Sequence, residues 1–382
     1  MALFGGSKSS SYLGVDIGAG GIKVVELSGD KGRPKLMTYG YVEFSAQDAV
    51  GSPFDDPKAT GTSLGGLMKA AGVKTTQAMA ALPLSSVFSA IIAVPRKKDE
   101  KEMKPLIDAQ VSKLTPLPLQ EMITYSTFID DIKQSEEPKK KKKNKKESES
   151  EGIKEPKTPE KKPGNYVRVL VTGAAKTLVQ KYISIFKQAK LELKAIDTES
   201  FALIRSLVGK DRSAIMILDL GTKRTNLTIV EKGIPVLTRS INIGGMSVTK
   251  RIMEQMGMPE EQAERMKRDL GTMEGAGPTV AGGMPAILES MMHPIINEIQ
   301  YAFQLYAGME LTEFKKVEKV IITGGTSHLP RIPEYLSETL NLNVYRGDPW
   351  ARVVFPSDLR PVLDEIGPRM SVAVGLAMRD IE

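Results

Sequence analysis

Residues 12–41 read YLGVDIGAGGIKVVELSGDKGRPKLMTYGY, and residues 214–243 repeat the pattern as AIMILDLGTKRTNLTIVEKGIPVLTRSINI. Each stretch predicts an apolar strand, an Asp-x-Gly turn, a second strand, a glycine hairpin and a third strand. The repeat indicates two related lobes that face each other, each with a glycine turn and a carboxylate directed into one cleft. A polyphosphate with its metal ion is the ligand that best suits such a cleft.

The composition argues against several other kinds of site. The 382 residues are enough for two or more domains with cores of their own. The chain has no cysteine, which excludes disulfides, a thiol nucleophile and a thiolate metal site. Its only two histidines are His293 and His328, so we expect no multi-histidine zinc centre. Apolar runs fall short of the roughly 20 residues of a membrane span. The N-terminus also lacks a signal-peptide core, and we therefore predict a cytoplasmic protein.

The net charge of +7 is concentrated in one segment. Residues 132–164 hold twelve Lys and seven Glu, so they contribute five of the seven positive charges. The remainder is nearly neutral, which does not favour a nucleic-acid partner. We predict that residues 132–164 form a disordered Lys-rich loop between two strands of one small sheet. The loop is either a tolerated surface insertion or, through residues 139–146, a contact for anionic lipid headgroups.

Strand and helix signals divide the chain into four predicted parts. Residues 1–74 form the first half of the first lobe, and residues 75–207 form a separate inserted α+β unit. Residues 208–365 form the second lobe, with a helical subdomain at 247–315. Residues 366–382 form a C-terminal helix that returns to the first lobe.

Three segments carry the predicted chemistry. Backbone N–H groups of the turn after Asp16 can surround phosphate oxygens, Asp16 can hold Mg²⁺ through water, and Lys23 can neutralise charge. Asp219 and its turn repeat this arrangement. The apolar strand 319–323 then runs into Gly324 and Gly325, where a nucleotide base can lie flat against backbone that carries no side chain.

In this order and spacing, the three segments resemble the phosphate-1, phosphate-2 and adenosine motifs of the actin/Hsp70-like and sugar-kinase nucleotide-binding fold. The resemblance implies an α/β protein with duplicated ribonuclease H-like lobes. The inserted unit is similar to the SHS2-type subdomain of the FtsA/PilM branch. LGVDIGAGGIKVVELS, LKAIDTESFALIRSL and INIGGMSVTKRIMEQMGMPEEQAERMKRDLG resemble segments of the type IV pilus assembly protein PilM family.

The resemblance implies a ligand, a partner and a location. Such proteins bind ATP (or ADP) and Mg²⁺ between the lobes. We expect the chain to dock the cytoplasmic N-terminus of a PilN-like membrane protein, and a pilus motor ATPase is a further expected contact. It would then lie peripherally at the inner face of the cytoplasmic membrane, with no nucleic-acid partner.

The resemblance also assigns residues to the nucleotide. The predicted metal-holding residues are Asp16 and Asp219. Glu264 and Lys267 match a ribose-contacting pair, although such a pair on a helix is equally compatible with a plain surface ion pair. The full predicted cofactor set is Asp16, Gly18, Gly20, Lys23, Asp219, Gly221, Thr222, Thr225, Gly244, Gly245, Glu264, Lys267, Gly324, Gly325 and Thr326.

Two departures from the family pattern bear on catalysis. Lys223 and Arg224 stand where active relatives commonly have glycine, and they either pair with phosphate or crowd the turn. Asp197 and Glu199 lie where related ATPases place a water-orienting residue, but neither matches strictly. Phosphoryl transfer depends on accurate positioning. We therefore expect ATP binding with slow hydrolysis or none.

Two other functions remain as alternatives. One is an FtsA-like division filament and membrane tether. Such chains continue into a membrane-targeting helix, and this sequence stops at Glu382, which we take as an argument against it. The other is a sugar-kinase-like enzyme, which would lack the inserted unit and is ranked last. One fold serves many functions, so fold alone does not separate these.

Overall fold

The computed structural model describes residues 11–30, 32–44, 51–97, 99–130, 165–270, 278–280 and 283–381. The predicted Lys-rich loop at 132–164 lies outside the described residues. Three β-sheets organise this part of the chain, two of five strands and one of three.

The first lobe is built on a five-stranded sheet. Its strands are β1 (Ser11–Gly18), β2 (Gly21–Asp30), β3 (Arg33–Glu43), β4 (Gln77–Leu82) and β8 (Glu192–Thr198). They lie in the order β3-β2-β1-β4-β8, in which β1, β2 and β3 form an antiparallel meander. Strand β4 pairs parallel with both β1 and β8.

The second lobe repeats this sheet strand for strand. Its strands are β9 (Ile215–Leu220), β10 (Thr225–Glu231), β11 (Ile234–Ile241), β12 (Lys319–Thr323) and β13 (Asn343–Arg346). Their order is β11-β10-β9-β12-β13, with an antiparallel meander followed by parallel pairs of β12 with β9 and β13. The predicted duplication of an α/β lobe is thereby confirmed.

Helices cover the sheets because the central strands are apolar on both faces. In the first lobe, α1 (Pro57–Ala71) and α3 (Lys176–Gln188) cover one face, while α9 (Arg360–Ala377) covers the other. The helices of the second lobe are α5 (Gly245–Met256), α6 (Glu260–Asp269), α7 (Glu289–Gly308) and α8 (Ile332–Leu340). Between the two sheets, α4 (Glu199–Leu203) and α9 share a core with β4, β9 and β12.

The inserted unit is smaller than the sequence analysis predicted. It comprises β5 (Phe88–Pro95), α2 (Glu100–Val111), β6 (Met122–Phe128) and β7 (Tyr166–Ala175), with sheet order β5-β7-β6. The predicted boundaries of 75–207 were too wide, because β4, α3 and β8 belong to the first lobe. A short apolar run predicts a strand but does not say which sheet the strand joins.

The C-terminal helix α9 begins at Arg360, before the predicted residue 366, and packs on the first-lobe sheet. Its backbone lies so close to β1 that a Cβ atom on Gly14 would collide with the carbonyl oxygen of Ala373. The helix also contacts the adenosine motif of the second lobe, since Gly324 donates its N–H to Pro368 O at 3.0 Å. Helix α9 therefore links the two lobes. Among the helices of the described ranges, none combines the length and the apolar character needed to cross a bilayer.

Candidate functional site

The two predicted aspartates occupy equivalent positions at the ends of β1 and β9. Asp16 is the cross-strand partner of Lys23 on β2, and Asp219 is the cross-strand partner of Asn226 on β10. The duplication therefore extends to the register of the strands that present the carboxylates.

In the first turn, the negative charge of Asp16 is balanced by a lysine of the same lobe. Lys23 Nζ lies 3.1 Å from Asp16 Oδ2, and both side chains are mostly buried. Gly18 lies beside the same ammonium group: a Cβ atom added to Gly18 would be 3.1 Å from Lys23 Nζ. A Cβ on Gly20 would collide with the hydroxyl of Thr222 in the second turn. The two turns therefore pack against each other at Gly20 and Thr222.

The second turn is held by backbone hydrogen bonds to the start of α5. Gly245 donates its N–H to Gly221 O at 3.0 Å, and Met246 donates to Thr222 O at 2.8 Å. Gly244 packs against the same carbonyl groups. Thr225, in contrast, is fully buried and donates its hydroxyl to Ile243 O at 2.7 Å. In this structure Thr225 supports the turn and does not line the cleft.

The predicted adenosine motif packs directly against the second turn. Gly324 has φ 85°, and a Cβ there would collide with Asp219 Oδ1, so both the conformation and the space require glycine. Thr326 donates its hydroxyl to Gly221 O at 2.9 Å. At Gly325 an added Cβ would meet only Arg369 Cβ, at 4.0 Å, which leaves open space on that side.

The Glu264 and Lys267 pair lies on the wall of this site. Lys267 Nζ donates to Glu264 Oε2 at 2.6 Å, to Thr249 Oγ1 at 2.9 Å and to Gly245 O at 3.3 Å. Burial lowers the pKa of Lys267 despite the neighbouring carboxylate. Burial works to raise the pKa of Glu264, but the charge and hydrogen bond of Lys267 outweigh it and the pKa is lowered. Because Lys267 is buried beside a predicted phosphate contact, the pair is not a plain surface ion pair.

A third carboxylate joins the two aspartates. Glu199, the first residue of α4, accepts the N–H of Leu84 at 2.8 Å and the Nδ2 group of Asn226 at 3.2 Å. Burial and the negative charges of Asp219 and Asp16 raise the pKa of Glu199 to about 8. Burial and the charge of Asp16 also raise the pKa of Asp219 to about 6. Both residues keep partial exposure, so water in the cleft moderates both shifts.

The sequence offers Glu199 only as an inexact match to a water-orienting residue and does not predict it as a member of the site. Its neighbour Asp197 points elsewhere and forms an ion pair with Arg205. Its position in the sequence could have indicated the site. Glu199 directly follows β8 and the helix-capping Thr198, so it starts a helix at the carboxyl end of a parallel strand, where ligands commonly bind.

The departures at Lys223 and Arg224 do not obstruct the turn. Lys223 donates to Gly51 O at 3.3 Å. Arg224 is exposed and lines a cavity of about 270 Å³ together with Leu84, Ser85 and Ser240. This cavity lies next to Glu199 and Asn226. Two of its lining residues bond to them: Leu84 donates its N–H to Glu199, and Ser240 donates its hydroxyl to Asn226.

The chemistry of the site fits a hydrated divalent cation with phosphate. In the described part of the chain, no group of three or more His, Asp or Glu residues is close enough to hold a metal unaided. Mg²⁺ does not need such a cage, because it usually keeps several waters and binds one or two carboxylates plus substrate phosphates. Asp16 and Asp219 can supply those carboxylates. Lys23 and the backbone N–H groups of the turns can face the phosphates.

Comparisons with known proteins point to one family. The family model described as type IV pilus assembly protein PilM matches residues 14–141 and 156–381. A solved structure titled PilM-PilN type IV pilus biogenesis complex has a TM-score of 0.75 and 23% sequence identity. That likeness covers 97% of this chain and 98% of that chain, and it shows the shared actin-like fold.

More distant similarity connects the chain to cell division proteins. It is 29% identical over 104 residues to FtsA of Bacillus subtilis, which is 27% of this chain and 23% of that protein. It is 23% identical over 227 residues to FtsA of Neisseria meningitidis serogroup B, 54% of this chain and 52% of that protein. The chain thus spans about half the length of these curated relatives, or less.

Proposed function

Because this chain belongs to the type IV pilus assembly protein PilM family, we propose that it is a nucleotide-binding adaptor of the type IV pilus assembly machinery. The observation that carries the proposal is the convergence of the three predicted motifs. Gly20 packs on Thr222, Thr326 donates to Gly221 O, and Gly324 packs on Asp219. Residues separated by 105 to 202 positions in sequence therefore lie together between the two lobes.

The ligand that suits this site is ATP or ADP with Mg²⁺. Asp16 and Asp219 would hold the hydrated ion, and Lys23 with the turn glycines would face the phosphates. The Gly324–Gly325 backbone would lie against the base, and Glu264 with Lys267 would face the ribose. The bound cation would supply positive charge that the three clustered carboxylates need in order to ionise together.

The same geometry favours binding over rapid turnover. Glu199 is already engaged inside the protein, because its Oε2 atom accepts hydrogen bonds from Leu84 N–H and Asn226 Nδ2. A carboxyl group held in this way is poorly placed to activate water. A nucleotide bound beside it would then act mainly to fix the angle between the lobes, with slow hydrolysis.

The proposed partner is a PilN-like membrane protein. The similar solved structure is titled as a complex of PilM with PilN. By analogy, this chain would bind the cytoplasmic N-terminus of such a protein and would sit peripherally at the inner face of the cytoplasmic membrane. Contact with a pilus motor ATPase would be a further link in the same assembly. An adaptor of this kind needs no membrane helix of its own.

Two measurements test the proposal. Calorimetric titration of the full chain with ATP, with and without Mg²⁺, should give micromolar or tighter binding that depends on the metal. GTP is the matched control ligand and should bind more weakly. Absence of any binding heat, together with an unchanged melting temperature in the presence of Mg·ATP, would contradict the nucleotide assignment.

The partner is tested with a labelled synthetic peptide that copies a PilN-type N-terminus. Fluorescence anisotropy should show micromolar or tighter affinity, and a scrambled peptide of the same composition should not bind. Equal affinity for both peptides would refute the adaptor role while leaving the nucleotide site untouched.

A further inference from the structure

A three-residue ionic bridge crosses from one lobe to the other beside the candidate site. Glu43 at the end of β3 accepts from Arg268 Nη2 at 3.0 Å and from Arg369 Nη1 at 3.0 Å. Each guanidinium takes a different oxygen of the same carboxylate. Arg268 lies on α6 of the second lobe, and Arg369 lies on the linking helix α9.

The bridge is attached to each part of the site. Phe44, next to Glu43, donates its N–H to Gly20 O of the first turn at 3.2 Å. Arg268 Nε lies 3.4 Å from Glu264 Oε1, and Glu264 belongs to the proposed ribose pair. Arg369 Cβ is the nearest atom to the open side of Gly325. A movement of Glu43 relative to Arg268 therefore changes the width of the cleft where the nucleoside would lie.

The charges around Glu43 favour the closed arrangement. Burial works to raise the pKa of Glu43, but hydrogen bonds and charges from Arg268 and Arg369 outweigh it and lower the pKa. The Arg369 guanidinium also lies over the ring of Tyr41, 5.0 Å from its centroid. Among the described residues, Arg369 Nε is buried without a hydrogen-bond acceptor.

We propose that Glu43, Arg268 and Arg369 form a gate that controls how fast nucleotide enters and leaves the cleft. The inference rests on the proposed function and deepens it, since it concerns exchange at the same site. The gate is easily opened. The three side chains are 43%, 57% and 26% exposed, and exposed ion pairs are individually weak. Breaking one is therefore expected to change exchange rates by roughly two- to fivefold, not by orders of magnitude.

The test compares Glu43→Gln and Arg268→Gln with Arg265→Gln. Arg265 lies on the same helix, and its ion pair is with Glu261 of that helix, so it does not span the lobes. Stopped-flow fluorescence with a labelled ATP gives both the association and the dissociation rate. Both rates should rise roughly two- to fivefold in the first two variants and stay unchanged in Arg265→Gln. The dissociation constant should change less than either rate.

A gate differs from a ligand contact in this measurement. If only dissociation accelerates, so that affinity falls in proportion, the residues are contacts or supports and the gate is refuted. Unchanged rates in Glu43→Gln and Arg268→Gln also refute it. The double variant should be no faster than the faster single variant, because both substitutions break the same bridge.

A second readout separates the gate from the proposed function. If the wild-type chain binds no nucleotide, the proposed function fails. The gate is then judged by amide hydrogen exchange of the nucleotide-free protein. Exchange in α6 and in the first turn should rise in Glu43→Gln and not in Arg265→Gln. Equal exchange in both variants would overturn the gate by itself.

Discussion

The two Asp-x-Gly turns have the same backbone arrangement and differ in their electrostatics. In the first, the residue across the strand from Asp16 is Lys23, which forms an ion pair at 3.1 Å. In the second, the residue across from Asp219 is Asn226, an uncharged amide 3.5 Å away. One cross-strand position thus decides whether the aspartate has its own counter-charge.

The difference shows how a duplicated unit can divide one task. In the first turn, Lys23 balances the charge of Asp16 even when no ligand is bound. The second turn combines Asp219 with Glu199, and the pKa of each carboxyl is raised. A divalent cation would relieve that repulsion, so the protonation of Asp219 and Glu199 depends on ligand. Four substitutions can break or sharpen this contrast.

The largest expected effect comes from removing either aspartate. Asp16→Asn and Asp219→Asn should each weaken Mg·ATP binding by about 100-fold or more, because Mg²⁺ loses one of its two proposed carboxylates. Without nucleotide the two variants should differ. Asp16→Asn leaves Lys23 without its partner and lowers stability, whereas Asp219→Asn removes repulsion and leaves stability unchanged or higher.

Calorimetry with Mg·ATP and urea denaturation without nucleotide measure the two effects. Asp211→Asn is the matched control. Its hydrogen bond with Lys319 lowers the pKa of Asp211 to about 2, so its loss should cost stability without changing ATP affinity. Undiminished affinity in both Asp16→Asn and Asp219→Asn would end the metal assignment.

A smaller effect is expected from Lys23→Gln, which makes the first turn resemble the second. The Lys23 charge lowers the pKa of both Glu199 and Asp219. Its removal should weaken ATP binding about tenfold and destabilise the nucleotide-free protein by about 1–2 kcal/mol. The loss should be greater at about pH 8 than at about pH 5, because the carboxylates ionise over that range. Lys194→Gln removes an exposed pair within β8 and should change neither quantity. An equal loss of stability at both pH values would contradict the electrostatic explanation.

The smallest expected effect is the pH dependence that Glu199 adds. Its pKa rises from 4.5 to about 8 on folding, so the folded state holds the proton more tightly than the unfolded state. Stability without ligand should therefore fall as pH increases from about 4.5 to about 8. Glu199→Gln should flatten this decline by about 1–2 kcal/mol. Urea denaturation measured between about pH 6.5 and 8 reports mainly on the proton of Glu199, because the pKa of Asp219 is raised only to about 6. A decline of unchanged slope in Glu199→Gln would show that another group is responsible.

Much of the fold was predictable because its signals are local. Strand, turn and hairpin patterns over about 30 residues identified both meanders, and short apolar runs identified most of the remaining strands. The insertion boundary was wrong because β4 and β8 read as ordinary strands, and their sheet depends on pairing with β1 and with each other. The turn glycines were predictable for the same local reason, whereas Thr225 was assigned to the ligand although its hydroxyl is used inside the protein.

By itself, the sequence determined that two glycine turns with aspartates exist and that they belong to duplicated α/β lobes. Only the tertiary structure decided which charges meet there. Glu199 shares a cluster with Asp16 and Asp219, and Glu43 reaches Arg268 across 225 positions. The physical reason is the distance over which each kind of interaction acts. Backbone preferences and apolar periodicity act over a few residues along the chain, whereas charge interactions and burial depend on distances in space that only the folded chain defines.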